Sequence, residues 1–390
     1  MLKMGIIGQA ARGESYLARP QIRARIWRNL EKGASVLLVA PRRVGKSSIL
    51  FDLIDKPPAN TIVIYYTSES VNGENEYYKK LFGHVAEHLK GVKKHTAKAL
   101  TLSKDLVSRI EEISVKGNIK IGESKINYLN ELQTLLEDVD LKGDRLIVLN
   151  DEVSSTVENI IKDESERAAI HFLETGRELR QSPKLQDKVQ FVYAGSIGLE
   201  NIVSRLNSMN LINDLVSVPV PQFSREEALT LVEKILTGSS ITISPAGLER
   251  LLVVIEWLIP YYIQILLDES YSITESEQEA VINERVVDEA VKRALKHRLY
   301  FEHWFIRLRK AYQGDEFSFV KAVLNLASEN KTVTSVEIIN IAVQYKLEAS
   351  YNHPLGALKY DGYLNNDADA KVYRFNSPLL REWWRCNVAN

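Results

Sequence analysis

The sequence predicts an α/β fold, with a parallel sheet core in residues 1–221 followed by a long helical region. Two observations support this. Five short runs rich in β-branched and aromatic residues alternate with segments of helical periodicity. The alternation stops at Pro221, after which apolar residues recur mainly at helical spacing. Strands that alternate with helices favour a parallel sheet, because each parallel connection must cross over the sheet.

The predicted strands are residues 35–40, 61–66, 145–149, 189–194 and 216–220. The first run is almost wholly apolar, which is typical of a central strand that is buried on both faces. The last contains Pro219, which favours an edge or terminal position because proline cannot donate to a strand ladder.

Helical periodicity predicts helices over residues 16–32 and 47–54, on either side of the first strand. Residues 91–143 form an unusually long connection between the second and third strands. We interpret it as a helical insertion, with helices near residues 102–113 and 127–136 and a small strand at 119–121.

An all-helical module is predicted for residues 222–312. Ser224 and Glu227 form a capping-box pattern, and Ser244 followed by Pro245 marks a second helix start. The apolar stretch 251–267 contains Glu256 and Pro260 and falls short of the ~20 residues of a membrane span. It therefore predicts two buried helices broken at Pro260, and no membrane association.

A winged-helix domain is predicted for residues 313–390. Helical patterns cover residues 317–328, 336–343 and 353–359, and a turn and two short strands follow. This segment has 8 Lys and Arg against 9 Asp and Glu, a balance that does not favour a DNA-binding surface. Trp383 and Trp384 are expected to be packing anchors.

The composition excludes several classes of protein. Of 390 residues, 45% are hydrophobic and 26% charged, as in an ordinary globular chain. The net charge of −1 argues against a general polyanion binder. Cys386 is the only cysteine, so neither an internal disulfide nor a cysteine-based metal cluster is expected. Because residues 1–15 lack the apolar stretch of an export signal, we expect a cytoplasmic protein.

A phosphate-binding loop is predicted between the first strand and the following helix. Gly45 lets consecutive backbone N–H groups curl towards one anion, Lys46 can reach the β- and γ-phosphates of ATP, and Ser47 offers a hydroxyl to Mg²⁺. Ala40 occupies a position where the full pattern has glycine. The predicted ATP-binding residues of the loop are Ala40, Pro41, Arg42, Arg43, Val44, Gly45, Lys46, Ser47 and Ser48.

Two acids end the third predicted strand. Asp151 is expected to hold Mg²⁺ together with Ser47, and Glu152 to act as the general base of hydrolysis. The alternative is that the two acids cap the next helix. Asn150 stands where an apolar residue is the simpler choice, and it is expected either at the sheet edge or in a local hydrogen bond.

The chain resembles the archaeal-type ATPases, a branch of the AAA+/STAND group of P-loop ATPases related to the origin-recognition ATPases. The resemblance covers nearly the whole chain, with the insertion as the least matched part. The segments that carry it are 16–19, 40–47, 150–152, 194–200, 259–262, 361–364 and 375–384.

The resemblance implies further site residues. Ser196 matches the sensor position that contacts the γ-phosphate or its water, although it also suits a helix N-cap. Pro260 and Tyr261 match the lid region that closes on the base, although Leu258 replaces the glycine usual there. Arg205 is a candidate arginine finger, with Arg177 and Arg180 as alternatives, although a solvated surface arginine is the simpler interpretation of Arg205.

Residues 292–310 are strongly basic, with interleaved aromatic residues. They are interpreted either as a contact to a nucleic-acid backbone or, in preference, as a linker helix whose aromatic residues pack inside the protein.

These features predict a cytoplasmic ATP-dependent switch that binds ATP and Mg²⁺ between core and lid and hydrolyses ATP slowly. A homo-oligomer and a protein partner are compatible with it. Two alternatives stay open: an ATP-dependent DNA-binding protein of the origin-recognition kind, and a degenerate nucleotide-binding scaffold in which Ala40 and Asn150 mark lost turnover.

Overall fold

The computed structural model describes Leu2 and residues 6–95, 126–195 and 198–389. The chain divides into two compact units. The sheet unit comprises Ala18–Val39 and Lys46–Val220, and the helical unit comprises Met1–Leu17, Ala40–Gly45 and Pro221–Asn390. The predicted phosphate-binding loop thus begins among residues of the helical unit and ends among residues of the sheet unit.

The sheet unit is built on five parallel strands in the order β2-β3-β4-β1-β5. The predicted strands are confirmed. β1 lies in the interior of the sheet and β5 at one edge, as their composition predicts. The strands are β1 (Val36–Val39), β2 (Thr61–Thr67), β3 (Arg145–Asp151), β4 (Val189–Ala194) and β5 (Val216–Pro219).

Helices connect these strands and cover the sheet. They are α1 (Pro20–Glu31), α2 (Lys46–Asp55), α3 (Glu74–His95), α4 (Tyr128–Asp138), α5 (Val153–Asp163), α6 (Glu166–Arg180) and α7 (Leu199–Arg205). The apolar faces of the sheet and of α3–α6 form one continuous core. Burial of this area is the main source of stability of the unit.

Two helix predictions need comment. α1 begins at Pro20 rather than at Tyr16, because the residue before a proline is disfavoured in the helical conformation. In the insertion, the helix predicted over residues 127–136 is confirmed by α4, which Asn127 caps by accepting from the Asn130 amide. The helix at 102–113 and the strand at 119–121 lie outside the described residues.

The helical unit begins with a short 3₁₀ turn, Gly13–Ser15, and continues after Pro221 with α8–α12. Ser224 and Glu227 form the predicted capping box, and Pro260 starts α10 after the predicted break. The prediction of an all-helical module is wrong in one detail, because β6 (Thr242–Ile243) and β7 (Val281–Ile282) form a small parallel pair. The helices are α8 (Arg225–Leu236), α9 (Pro245–Ile255), α10 (Pro260–Ser276), α11 (Glu284–Lys296) and α12 (Arg298–Ala311).

The remainder of the helical unit has four helices and three short strands in the antiparallel order β8-β10-β9. The elements are α13 (Gly314–Asn330), β8 (Val333–Thr334), α14 (Ser335–Gln344), α15 (Asn352–Tyr360), β9 (Leu364–Asn365), β10 (Val372–Phe375) and α16 (Pro378–Asn387). Trp383 and Trp384 are buried, and the Trp384 indole donates to Asn325 at 2.9 Å. The winged-helix assignment and the boundaries 1–221, 222–312 and 313–390 stay predictions.

Among the described residues, no helix combines the length and the apolar character that crossing a membrane requires.

Candidate functional site

The carboxyl end of β3 brings together two of the predicted site residues. Ser47 lies in the first turn of α2, and Asp151 is the last residue of β3. The Ser47 hydroxyl donates to Asp151 Oδ2 at 2.7 Å, and the Tyr65 hydroxyl donates to the same oxygen at 3.2 Å. In a parallel sheet the strand ends and the helices that follow them meet at one edge, which explains why distant residues converge here.

The Asp151 carboxylate has an unused oxygen. Asp151 is only 4% exposed, and its Oδ1 is buried without a hydrogen-bond partner. Burial raises the pKa of this carboxyl group above its ordinary value, and Glu152 adds to the effect, whereas Ser47 and Lys46 act against it. A buried carboxylate oxygen without a hydrogen-bond donor is costly, unless a ligand supplies the missing interaction. The Asp151 carboxylate and the Ser47 hydroxyl are oxygen donors of the kind Mg²⁺ prefers, so the donor set fits this ion.

Lys46 is the first residue of α2 and is 7% exposed. Its charge lowers the pKa of Asp151, so the two lie within electrostatic reach. Arg23 of α1 anchors the far end of α2 through an ion pair of 2.9 Å with Asp52. Ser48 is buried beside these residues in α2. The amino terminus of α2, with Lys46 on it, therefore provides the positive end that a phosphate group needs.

Glu152 follows Asp151 and has a left-handed backbone, with φ of 66° and ψ of 29°. It is the N-cap residue of α5, but its side chain makes no capping hydrogen bond. Its Oε2 accepts a hydrogen bond from Ser155 Oγ at 3.1 Å instead. Glu152 therefore does not cap α5 with its side chain, as the alternative interpretation of the two acids would require. Glu152 is half-buried.

Asn150 is fully buried within β3, which is an interior strand, so it does not lie at the sheet edge. Its amide donates to the Tyr77 hydroxyl at 2.5 Å, and its carbonyl oxygen accepts from Ser68 Oγ at 3.0 Å. The side chain is hydrogen-bonded, but its partners lie 73 and 82 residues away in sequence, so these are not the local hydrogen bonds that the sequence suggested. A buried amide that is satisfied on both sides is a structural feature and not by itself a sign of lost function.

Arg43 is held entirely within the helical unit. Its guanidinium lies 4.6 Å from the centre of the Tyr261 ring, and Nη1 donates to the Gly8 carbonyl at 2.9 Å. Its Nε donates to His303 Nε2 at 3.4 Å. Pro260 starts α10 one residue before Tyr261, whose hydroxyl donates to the Tyr300 carbonyl at 2.9 Å.

Arg42, in the same unit, lies within electrostatic reach of Arg307, Arg43 and Asp361. Burial lowers its pKa to about 10, and the charges of Arg307 and Arg43 contribute. Arg307 forms a buried ion pair with Asp361, with Nε 3.2 Å from Oδ2. The next residue, Gly362, has a φ of +90°, and a Cβ there would lie 2.4 Å from Trp257. This close approach explains the glycine after Asp361.

The remaining predicted residues have separate outcomes. Ser196 lies outside the described residues. Arg205 is the exposed last residue of α7, a position compatible both with a surface arginine and with an arginine finger. Arg180 pairs with Asp214 at 2.6 Å and is almost fully buried, which argues against its use as an arginine finger.

Ala40 and Val44 are buried, whereas Pro41 and Gly45 are partly exposed.

The basic segment 292–310 mostly follows the preferred interpretation. Phe301 and Trp304 are fully buried. Lys292 pairs with Glu289, and Arg298 with Glu302. Arg307 is an exception within this strongly basic segment, because it is buried and paired with Asp361.

Sequence reasoning missed Tyr65 and His303. Tyr65 is a polar residue near the end of β2, a position that a prediction of converging strand ends could have included. His303 gives no such signal, because it contacts Arg43 only through the tertiary fold.

No protein-family model matches this chain, and no curated protein matches its sequence. Its structure is similar to that of a Walker-type ATPase of Pyrococcus abyssi, with a TM-score of 0.63 and 15% identity over 96% of this chain and 98% of that chain. It is also similar to the ORC2 protein of Aeropyrum pernix, described as ADPNP and ADP complexes, with a TM-score of 0.54 and 13% identity over 93% and 90% of the two chains.

At these identities the similarity is one of fold. The similarity to these two solved structures, together with the five-stranded parallel sheet and its helices, confirms the predicted α/β fold class. The role of each predicted site residue stays a prediction at these identities.

Proposed function

We propose that this protein is an ATP-binding P-loop ATPase that acts as a nucleotide-dependent switch. The observation that supports it best is the pair formed by Ser47 and Asp151 at 2.7 Å, in which Asp151 Oδ1 has no hydrogen-bond partner. Structural cores seldom leave a buried carboxylate oxygen unpaired, so the atom points to a cation. A serine after a lysine at a helix amino terminus, joined to a strand-end aspartate, is the arrangement that P-loop ATPases use for Mg²⁺ and phosphate.

Each proposed residue has a distinct task. Lys46 neutralises charge on the β- and γ-phosphoryl oxygens, where the backbone of residues 40–48 also donates hydrogen bonds. Ser47 and Asp151 would hold Mg²⁺, which when bound neutralises developing charge on the phosphoryl oxygens. Glu152 orients the attacking water and accepts its proton.

The switching role rests on the loop itself. Arg42 and Arg43 belong to the proposed phosphate-binding loop, and Arg43 contacts Tyr261 and His303 of the helical unit. A change in loop conformation with the bound nucleotide would therefore alter these contacts, and their differential stability would shift the population of conformations. Arg205 stays the proposed arginine finger of an oligomer, since its side chain is exposed.

The proposal is tested by isothermal calorimetry of ATP with and without Mg²⁺, together with steady-state phosphate release. Lys46→Ala should weaken ATP binding by about 10²-fold, the scale of a lost charge-assisted contact. Asp151→Asn should weaken binding mainly in the presence of Mg²⁺. Lys56→Ala is a matched control, because Lys56 follows α2 and its side chain is 60% exposed.

Equal ATP affinity in the parent and in Lys46→Ala would show that residues 40–48 do not bind phosphate. Tight binding without phosphate release would favour the degenerate scaffold instead.

A further inference from the structure

The turn formed by residues 68–71 contacts the chain on both sides of Glu152. It follows β2 and precedes α3, and the amide of Val71 closes it by donating to the Ser68 carbonyl at 3.0 Å. The Ser68 amide donates to the Asp151 carbonyl, also at 3.0 Å. The turn therefore extends the pairing of β2 with β3 up to the residue that precedes Glu152.

Upstream of Glu152, the turn is bonded to a buried side chain. Ser68 Oγ donates to Asn150 Oδ1 at 3.0 Å, and the Asn150 amide donates to the Tyr77 hydroxyl. Ser68 and Asn150 are both fully buried. Hydrogen bonds in such a dry environment fix geometry strongly, because breaking one leaves a buried polar group unpaired.

Downstream of Glu152, two residues of α5 are bonded to the backbone of the turn. Thr156 Oγ1 donates to the Ser68 carbonyl at 2.8 Å. Asn159 Nδ2 donates to the Glu69 carbonyl at 3.1 Å and to the Val71 carbonyl at 2.9 Å. Asn159 lies two helical turns beyond Glu152 and is not one of the predicted phosphate or Mg²⁺ ligands.

Glu152 between these anchors has a strained backbone. A glutamate with a φ of 66° is uncommon, because its Cβ crowds the carbonyl oxygen in the left-handed region. Such strain persists only where the surroundings enforce it. Relaxation of Glu152 would change the direction of α5 relative to β3, and that change would break the hydrogen bonds from Thr156 and Asn159 to the turn.

We infer that the 68–71 turn is a positioning element, which Asn159 and Asn150 secure and which holds the Glu152 carboxylate in the orientation required for hydrolysis. The expected effect on hydrolysis rests on the proposed function. The enforcement of the left-handed backbone of Glu152 by the turn does not depend on that function. Asn159 and Asn150 are positioning residues, since they act through the turn.

The first test separates turnover from binding. Asn159→Asp is isosteric but cannot donate, and it should lower kcat by about tenfold while ATP affinity and Mg²⁺ dependence stay within about twofold of the parent. Asn159→Ala should behave alike, and Asn159→Gln, which keeps the donor amide, should retain more activity. Asn29→Asp is the matched control, because Asn29 donates to the Arg25 carbonyl on α1, outside the turn.

An unchanged kcat in Asn159→Asp would overturn the inference. So would parallel losses of kcat, ATP affinity and thermal stability, since these would indicate a merely structural role.

The second test does not depend on activity, so it also decides the inference if the parent proves inactive and hydrolysis fails as a proposal. Glu152→Gly removes the left-handed strain and should raise the melting temperature of the parent. In the Asn159→Asp background Glu152 is free to relax, so Glu152→Gly should raise the melting temperature less. Equal shifts in both backgrounds would show that Asn159 does not enforce the strain.

Discussion

At the end of β3, Asp151 keeps one buried carboxylate oxygen without a hydrogen-bond partner, whereas Arg307 and Arg43 of the helical unit find partners within that unit. Arg307 is paired with Asp361, and Arg43 contacts Tyr261, His303 and Gly8. The first region holds a buried carboxylate for which Mg²⁺ is the proposed partner. The second is a cluster of positive charges in which Arg307 has a carboxylate partner, whereas Arg43 contacts uncharged groups. Substitutions at Asp151 and Glu152 should therefore affect chemistry, whereas substitutions at Arg307 and Asp361 should affect stability.

The largest effect is expected at the end of β3. Glu152→Gln should lower ATP hydrolysis by about 10²-fold or more, the usual scale for a lost general base, while ATP and Mg²⁺ still bind. The measurements are phosphate release and calorimetry. If binding is lost together with hydrolysis, Glu152 is not acting as a base. The melting temperature should not fall, since the carboxylate is not part of the core.

The second prediction concerns the buried ion pair of the helical unit. Asp361→Asn should destabilise the protein by about 3 kcal/mol, because it leaves the Arg307 charge buried without a carboxylate partner. Chemical denaturation measures this value. The double variant Arg307→Met with Asp361→Leu should be less destabilised than either single variant. An unaltered stability of Asp361→Asn would show that the Asp361 carboxylate does not stabilise the buried Arg307 charge.

The third prediction is a pH dependence that arises in the same cluster. Burial, with the charges of Arg43 and Arg42, lowers the pKa of His303 to about 2 in the folded state. The unfolded state binds this proton at about pH 6.5 and the folded state does not, so folding stability falls as the pH drops below about 6.5. Between pH 7.5 and 5.5 the loss from this group is about 1.4 kcal/mol.

His303→Gln should remove this part of the pH dependence. The check is the difference in unfolding free energy between the two pH values for the parent and for the variant. The same pH dependence in both proteins would show that His303 is not buried as a neutral group.

The smallest effect is expected from the exposed charges that end α12. Arg309→Gln and Lys310→Gln should change neither stability nor ATP binding, because both side chains are exposed. The full chain should bind duplex DNA only weakly, with Kd above ~10⁻⁵ M near physiological salt. Sub-micromolar, sequence-specific binding that is lost in these variants would instead favour an origin-recognition type of function.

Much of the fold could be predicted from local sequence. The five strands of the sheet, the capping box at Ser224 and the break at Pro260 follow from side-chain periodicity and from the backbone chemistry of serine and proline. The two-residue strands β6, β7 and β8 were missed, because two residues carry no periodicity. Their pairing depends on segments that are distant in sequence.

The candidate site was predictable to the extent that its residues are adjacent in sequence or end a strand. Residues 40–48 and the Asp151–Glu152 pair are local patterns, and the sheet edge brings Ser47 to Asp151 as expected. The hydrogen bond between Asn150 and Tyr77 could not be predicted, because it joins β3 to a helix in an earlier part of the chain.

The sequence by itself determined the succession of strands and helices along the chain, the loop before Lys46 and the acids after Asn150, because these depend on neighbouring residues. Only the tertiary structure decided which charged groups are buried, which have partners and which backbone conformation holds them. It buried Arg307 beside Asp361, left Asp151 Oδ1 without a partner and fixed Glu152 in a left-handed conformation. The physical reason is that burial and electrostatic interactions depend on every group that surrounds a side chain, and most of those groups are distant in sequence.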